Sequence, residues 1–365
     1  MVAENIDAFG GNKDNITLVG FSAGGRDVMA TLISPLFEGK FDRAISYSGG
    51  MILADEAEAQ EIFATAIAAL VVEDGVKATE DEAKEWLLQD NPEVTEYLYS
   101  LSAERLAGLM GNAGIRMSVF PHLYADGVVI PKEGFETDQY NDVPLMLVTG
   151  TNEFSLFSAF DPYFGKYVED GSLFTDENLK NEFAYVRNYG GALYRLSNTI
   201  ESARVMAGKY ESPIFIIEIS YGDNADVTPK TESLLGAFHG VFEPLLQKPS
   251  NYSTFIENEF ETQGAEELST TFKGYLKQFI ANGDPNMDGL PEWQKWNKDD
   301  SLVLSLDATQ DNAIVEMKED KETSEDIIKR MHADETVDEE TKKVLNETVL
   351  SGRWFSQPSD DLKNE

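Results

Sequence analysis

A chain of 365 residues, 42% of them apolar, is long enough for one large α/β domain or two smaller ones. Its 66 acidic against 29 basic side chains give a net charge of −37, which repels nucleic acid and anionic membrane surfaces. There is no cysteine, which excludes disulfides, thiol catalysis and cysteine-held metals, and no apolar run approaches the length of a membrane span.

The chain opens on Met1-Val2-Ala3-Glu4-Asn5, which is polar and acidic and carries no signal-peptide pattern. Val2 to Phe9 reads as a helix stopped by Gly10-Gly11. Ile16 to Val19 is apolar and β-branched, so it reads as a buried strand. Gly20-Phe21-Ser22-Ala23-Gly24 then fits G-x-S-x-G, and Ala23 to Ile33 has helical composition. Strand, sharp turn and helix are the context of a nucleophile elbow. The turn calls for small residues two before and two after the serine, where side chains would collide with strand and helix. Ser22 is expected to be strained, with its hydroxyl at the strand's carboxyl end and the helix's amino end beside it, favouring developing negative charge. The motif alone is common, and an idle serine in a structural turn is the plainer alternative.

Residues 41–50 contain a second short strand, completing a strand–helix–strand unit of the kind that builds parallel sheets. Residues 54–110 turn rich in Ala, Glu and Leu with helical spacing, and read as a helical insert over one end of the sheet. Val143 to Thr149 is a buried strand ending in Gly150, followed at once by Thr151-Asn152-Glu153. Two helices are expected at Glu177 to Tyr185 and Ala192 to Lys209, and another buried strand at Pro213 to Ser220. Leu234 to Leu246 carries Gly236-Ala237-Phe238-His239-Gly240. Glu266 to Ile280 is an amphipathic helix ended by Ala281-Asn282-Gly283-Asp284-Pro285. Leu302 to Leu306 and Ala313 to Met317 read as short strands at the sheet edge. The expected division is one α/β domain over residues 1–317, including the insert 54–110, and a charged helical extension over 318–365 packed on it.

A serine hydroxyl needs a base to become a nucleophile. Of the three histidines, His122 follows Pro121 in a loop and His332 sits in the charged tail. His239 lies among small residues after a buried strand. The base needs an acid to hold its tautomer, and Glu153 stands just past a strand end. A lone histidine is more often structural, and with 66 carboxylates a well-placed glutamate is common. The order Ser22, Glu153, His239, with each residue at a strand end, is what carries the reading. It is the order of α/β-hydrolases, not of the chymotrypsin or subtilisin types.

These stretches resemble the type-B carboxylesterases, the family of bacterial carboxylesterases and cholinesterases. The matching residues are Glu4-Asn5-Ile6 with Phe9-Gly10-Gly11, Asn15-Ile16-Thr17-Leu18 with Gly20, Ser22-Ala23-Gly24-Gly25, and Phe41 with Arg43-Ala44-Ile45 and Ser48-Gly49. Further on come Asp126-Gly127, Gly150-Thr151-Asn152-Glu153, Ala237-Phe238-His239-Gly240 and Gly283-Asp284-Pro285-Asn286. The resemblance implies an α/β-hydrolase fold, a mostly parallel central sheet flanked by helices. It makes Ser22 the nucleophile, Glu153 the acid and His239 the base of a carboxylic ester hydrolase working through an acyl-enzyme, with no metal or organic cofactor. A catalytically silent or fragmentary protein of the same fold, used for binding, is the alternative. Lipase and peptidase chemistry would use the same triad.

Four departures from the family stand out. Phe21 replaces a glutamate before the nucleophile. The loop between Asn152 and Glu153 is two residues shorter. Glu243 is displaced by one position after His239. The family's N-terminal portion, with its His-Gly-Gly oxyanion loop, matches nothing here, which leaves the backbone N–H of Ala23 as oxyanion donor. On that reading a central strand becomes an edge open to pairing. The expected partners are a small ester and either a second copy or a complementary N-terminal chain, with no nucleic acid and no membrane span. Localisation, cytoplasmic or secreted bacterial, stays open. The acceptor-like Asn15-Ile16-Thr17, Asn251-Tyr252-Ser253 and Asn346-Glu347-Thr348 read as chance matches.

Overall fold

The computed structural model describes residues 1–111, 115 and 121–364. One sheet carries six strands in chain order: β1 (Thr17–Phe21), β2 (Arg43–Tyr47), β3 (Leu145–Gly150), β4 (Ile214–Ile219), β5 (Leu302–Ala308) and β6 (Ala313–Glu319). β1 to β5 run parallel, and β6 returns antiparallel to β5. Side chains alternate between faces, as the pleat dictates. Leu145, Leu147, Ile214 and Ile216 enter one apolar core, while Met146, Val148, Phe215 and Ile217 enter the other. Burial on both faces is why β3 and β4 read as near-continuous apolar runs.

Helices cover both faces. α1 (Ala23–Ile33) supplies Val28, Met29 and Leu32 to the first core. The insert between β2 and β3 forms α2 (Glu56–Glu73), α3 (Glu80–Leu87), α4 (Pro92–Ser100) and α5 (Ala103–Leu109). Asp55, Thr79, Asn91 and Ser102 start these four helices by accepting from a first-turn N–H. The insert has a small core of its own, made of Ala68, Val71, Ala83, Trp86 and Val94. α6 (Phe154–Ala159) and α7 (Glu177–Asn198) follow β3, and α8 (Gln263–Asn282) supplies Leu268, Phe272, Tyr275 and Phe279 to the second core. α8 ends at Gly283, whose φ of 84° is the left-handed cap expected there. Among the described residues, no helix is long and apolar enough to cross a membrane.

Two expectations are corrected. Residues 177–209 were read as two helices, Glu177 to Tyr185 and Ala192 to Lys209, with a gap that contains Gly190-Gly191. Instead α7 runs unbroken for 22 residues, and the break falls at Thr199, before a short helix Ile200–Met206. The glycine pair is a notch for close packing. A Cβ on Gly190 would lie 2.5 Å from the Phe154 ring, and one on Gly191 would lie 3.2 Å from Asn152 Oδ1. The second correction is β1, read as buried. It is the outermost strand of the sheet, and Val19 is 52% exposed. Among the described residues no strand pairs with its outer edge.

A buried ionic network ties α7 to the chain after β6. Arg195, in the last turn of α7, meets Glu218 of β4 at 2.5 Å and Glu322 at 2.7 Å, and also pairs with Asp320. Burial pushes the Glu218 carboxyl above its ordinary range, with Arg195 pulling against it. Burial opposes the Arg195 charge, but Glu218 and Asp320 outweigh it and hold the guanidinium above its usual value.

Candidate active site

Because β1 to β4 are parallel and in register, their carboxyl ends line one rim of the sheet. The ladder continues one residue past each strand. Ser22 N–H donates to Tyr47 O (2.9 Å), Ser48 N–H to Val148 O (2.8 Å) and Thr151 N–H to Ile219 O (3.0 Å). These bonds bring the turns after β1, β2 and β3 side by side.

Ser22 follows β1 with φ 59° and ψ −117°, a conformation that L-residues rarely adopt. It caps α1 with no side-chain capping bond, and Ala23 is the first residue of the helix. The crowding around the turn falls where the motif placed it at Gly20, but at Gly25 rather than Gly24 on the helix side. A Cβ on Gly20 would sit 2.0 Å from Gly24 O, and one on Gly25 would sit 2.6 Å from Tyr47 O. A Cβ on Gly24 would meet nothing within 4 Å. Gly20→Ala is therefore expected to cost roughly 1–3 kcal/mol in chemical denaturation, and Gly24→Ala to be tolerated. Equal tolerance of the two would contradict this packing.

Glu153, 1% exposed, stands three residues past Gly150, the glycine that ends β3. Its Oε1 accepts from Ser48 Oγ at 2.5 Å and from Gly150 N at 2.6 Å. Its Oε2 lies 2.9 Å from His239 Nδ1 and 3.5 Å from Asn198 Nδ2. Gly150 must be glycine because its Cβ would lie 2.4 Å from Ala237 O, in the loop that carries the histidine. Asn152 N–H donates to that same carbonyl at 3.1 Å.

His239 is held in an aromatic slot. The Phe21 ring lies 4.6 Å from the imidazole centroid, Phe157 4.9 Å and Tyr194 5.8 Å. Phe21 also meets Phe242 edge-on, and Phe242 stacks on Tyr47 at 4.2 Å. Burial, reinforced by Glu153, pushes the Tyr194 phenol up, so it stays protonated and donates to Ser48 O at 3.2 Å. Phe355 backs Phe157 and Tyr194 at 4.3 and 4.8 Å. The end of the chain, read as a charged tail, thus reaches the wall behind the histidine. Its anchor is Arg353, buried with Asp161 at 2.5 Å.

Glu153 and His239 are therefore brought into contact, and Ser22 is joined to them through the neighbouring Phe21. Among the described residues no hydrogen bond links Ser22 Oγ to His239. The other histidines lie elsewhere. His122 packs edge-on against Trp354 at 4.8 Å, and His332 is exposed on the helix Ser324–Ala333. Sequence reasoning gave no role to Ser48 or Asn198. A serine at a strand end before Gly49-Gly50 was a usable signal for the first. Asn198 carried none, since it reaches Glu153 from the far end of a helix. Among the described residues, no group of three or more His, Cys, Asp or Glu side chains is placed to hold a metal.

The carboxylesterase family model matches residues 1–189. Carboxylesterase 1C of Rattus norvegicus is 26% identical over 358 residues, covering 86% of this chain and 58% of the relative. The cocaine esterase of Homo sapiens is 24% identical over 344 residues, covering 84% and 56%. The chain thus spans less than two thirds of the length of these curated relatives. Among solved structures, a PNB esterase superposes with a TM-score of 0.59 at 19% identity, covering 90% of this chain and 66% of that one. A carboxylesterase of Geobacillus stearothermophilus gives 0.58 at 21% identity, covering 91% and 66%. These two likenesses are of fold, and both are α/β-hydrolases with the mostly parallel, helix-flanked sheet described above. By its family match and its fold, this chain belongs to the carboxylesterase family.

Proposed function

We propose that the chain hydrolyses small carboxylic esters through an acyl-enzyme on Ser22. The observation that carries this is the 2.9 Å contact between His239 Nδ1 and the buried Glu153, next to a serine in the strained elbow conformation. Glu153 directs the imidazole proton to Nδ1, which leaves Nε2 free to take a proton. His239 removes the Ser22 proton as Oγ attacks the ester carbonyl. The N–H of Ala23 and the amino end of α1 face the oxyanion that forms. His239 then protonates the leaving alcohol, and water repeats the sequence to release the acid. The esterase names of the relatives support the same substrate class.

The test is turnover of a short-chain chromogenic ester by the 365-residue chain beside Ser22→Ala. Turnover lost in the variant is the expected result, and equal turnover in both would sink the reading. One observation favours the alternative, a silent binding protein: no hydrogen bond joins Ser22 Oγ to His239 among the described residues. Absence of turnover together with failure of a reactive phosphonate to label Ser22 would select that alternative.

A further inference from the structure

Three strand ends of the rim carry Ser22, Ser48 and Glu153, but the fourth also ends on a polar side chain. After β4 the chain turns through Tyr221 and Gly222, whose φ is 119°, and presents Asp223 to the site's two loops. Asp223 Oδ1 accepts from Asn152 Nδ2 at 2.7 Å and from Ala237 N at 2.6 Å. Its Oδ2 accepts from the Thr151 hydroxyl. Gly236 makes room for this approach, since a Cβ there would lie 2.5 Å from Asp223 Oδ1.

The two loops so joined are the ones that carry the acid and the base. Asn152 is bonded to Glu153, and Ala237 stands two residues before His239. We propose that Asp223 is a positioning residue, one carboxyl group that clamps the Glu153 loop to the His239 loop and so sets the Glu153–His239 hydrogen bond. The proposal rests on the triad reading above. A clamp at this place acts as a hinge pin, because a small rotation of either loop lengthens the 2.9 Å contact directly. Asp223 touches neither His239 nor Ser22, so its influence passes through backbone placement. Catalysis is sensitive to that placement, since a displacement of about 1 Å can cost on the order of 10²-fold.

The experiment compares Asp223→Ala, Asp223→Asn and the wild-type chain in two readouts. The first is kcat and KM for a chromogenic ester. The second is the low-field proton resonance of the His239 Nδ1–H, assigned by its loss in His239→Ala. Asp223→Ala is expected to lower kcat roughly 10- to 100-fold with KM within about twofold, and to broaden or shift the resonance. Asp223→Asn should restore both to within a few-fold, because its amide oxygen can still accept from Asn152 and Ala237 while its NH2 donates to Thr151 Oγ1. A folded Asp223→Ala chain with wild-type kcat and resonance would overturn the proposal, as would an Asn variant no better than Ala. If Asp223→Ala does not fold, the double variant Thr151→Val/Asn152→Ala uncouples the acid loop instead. An unchanged resonance there overturns the proposal, and a broadened one supports it. The resonance does not depend on turnover. If the wild-type chain proves inactive, the esterase reading fails while the clamp is still decided by the proton signal.

Discussion

Ser22→Gly is expected to abolish ester turnover and, at the same time, to raise the resistance of the fold to urea. On the proposed esterase reading, the loss of rate, on the order of 10⁶-fold, follows from removing the nucleophile of a triad that works as a unit. The gain in stability follows from the backbone. Ser22 holds φ 59° and ψ −117°, which costs a residue with a Cβ about 1–3 kcal/mol and a glycine far less. Glycine loses more chain entropy on folding, by roughly 0.5–1 kcal/mol, which offsets part of the relief. Among the described residues the Ser22 hydroxyl forms no hydrogen bond whose loss would reverse the sign. The net expectation is a gain of about 1 kcal/mol. A Ser22→Gly chain less stable than Ser22→Ala would show that the elbow is not strained. Both outcomes are read from urea unfolding midpoints of the two variants.

The second large effect is on stability alone. Arg195→Ala is expected to cost about 3–5 kcal/mol, because it leaves Glu218 buried without its cation. Asp320 and Glu322 keep some access to water, whereas the Glu218 side chain lies in β4, between β3 and β5. Arg195 also sits in the last turn of α7, where the helix end favours a cation. The pH dependence has a definite sign. Glu218 in the folded chain binds its proton more tightly than in the unfolded chain. Its contribution is complete below the ordinary carboxylate range and is lost as pH rises through the raised value. Without Arg195 that penalty grows, so the defect of Arg195→Ala should be larger at neutral pH than in mildly acidic buffer. A defect independent of pH would rule out charge burial as its cause. Removing both charges, as Arg195→Met/Glu218→Leu, should cost less than Arg195→Ala alone.

Local features were the legible ones. The elbow could be read because strand, glycine, serine and helix are adjacent in the chain. β3 and β4 could be read because burial on both faces leaves a near-continuous apolar run, interrupted in β4 by Glu218 alone. Features set by distant contact were not legible. Gly190-Gly191 looks like a helix end but accommodates the Phe154 ring and the Asn152 loop, brought there by tertiary packing. Val19 looks like a core residue, since apolar character alone does not tell a central strand from an edge strand. The second tight glycine of the elbow is Gly25, not Gly24, because the backbone that crowds it belongs to β2. Asn198 and Asp223 are ordinary polar residues until tertiary packing brings the end of α7 and the turn after β4 to the Glu153 loop.

That parallel rim has a kinetic consequence. Ser48 and Glu153 meet across 105 positions, and Glu153 and His239 across 86. No hairpin can deliver either contact, since parallel neighbours need long crossovers and each crossover carries loop-closure entropy. Helices and local turns of this chain can therefore form well before any of its chemistry can. A refolding chain would regain its circular dichroism early and its imidazole–carboxylate contact late. Intermediates in that interval would expose unpaired apolar strands before the Glu153–His239 contact exists, so for this fold that contact marks completion of folding rather than its onset.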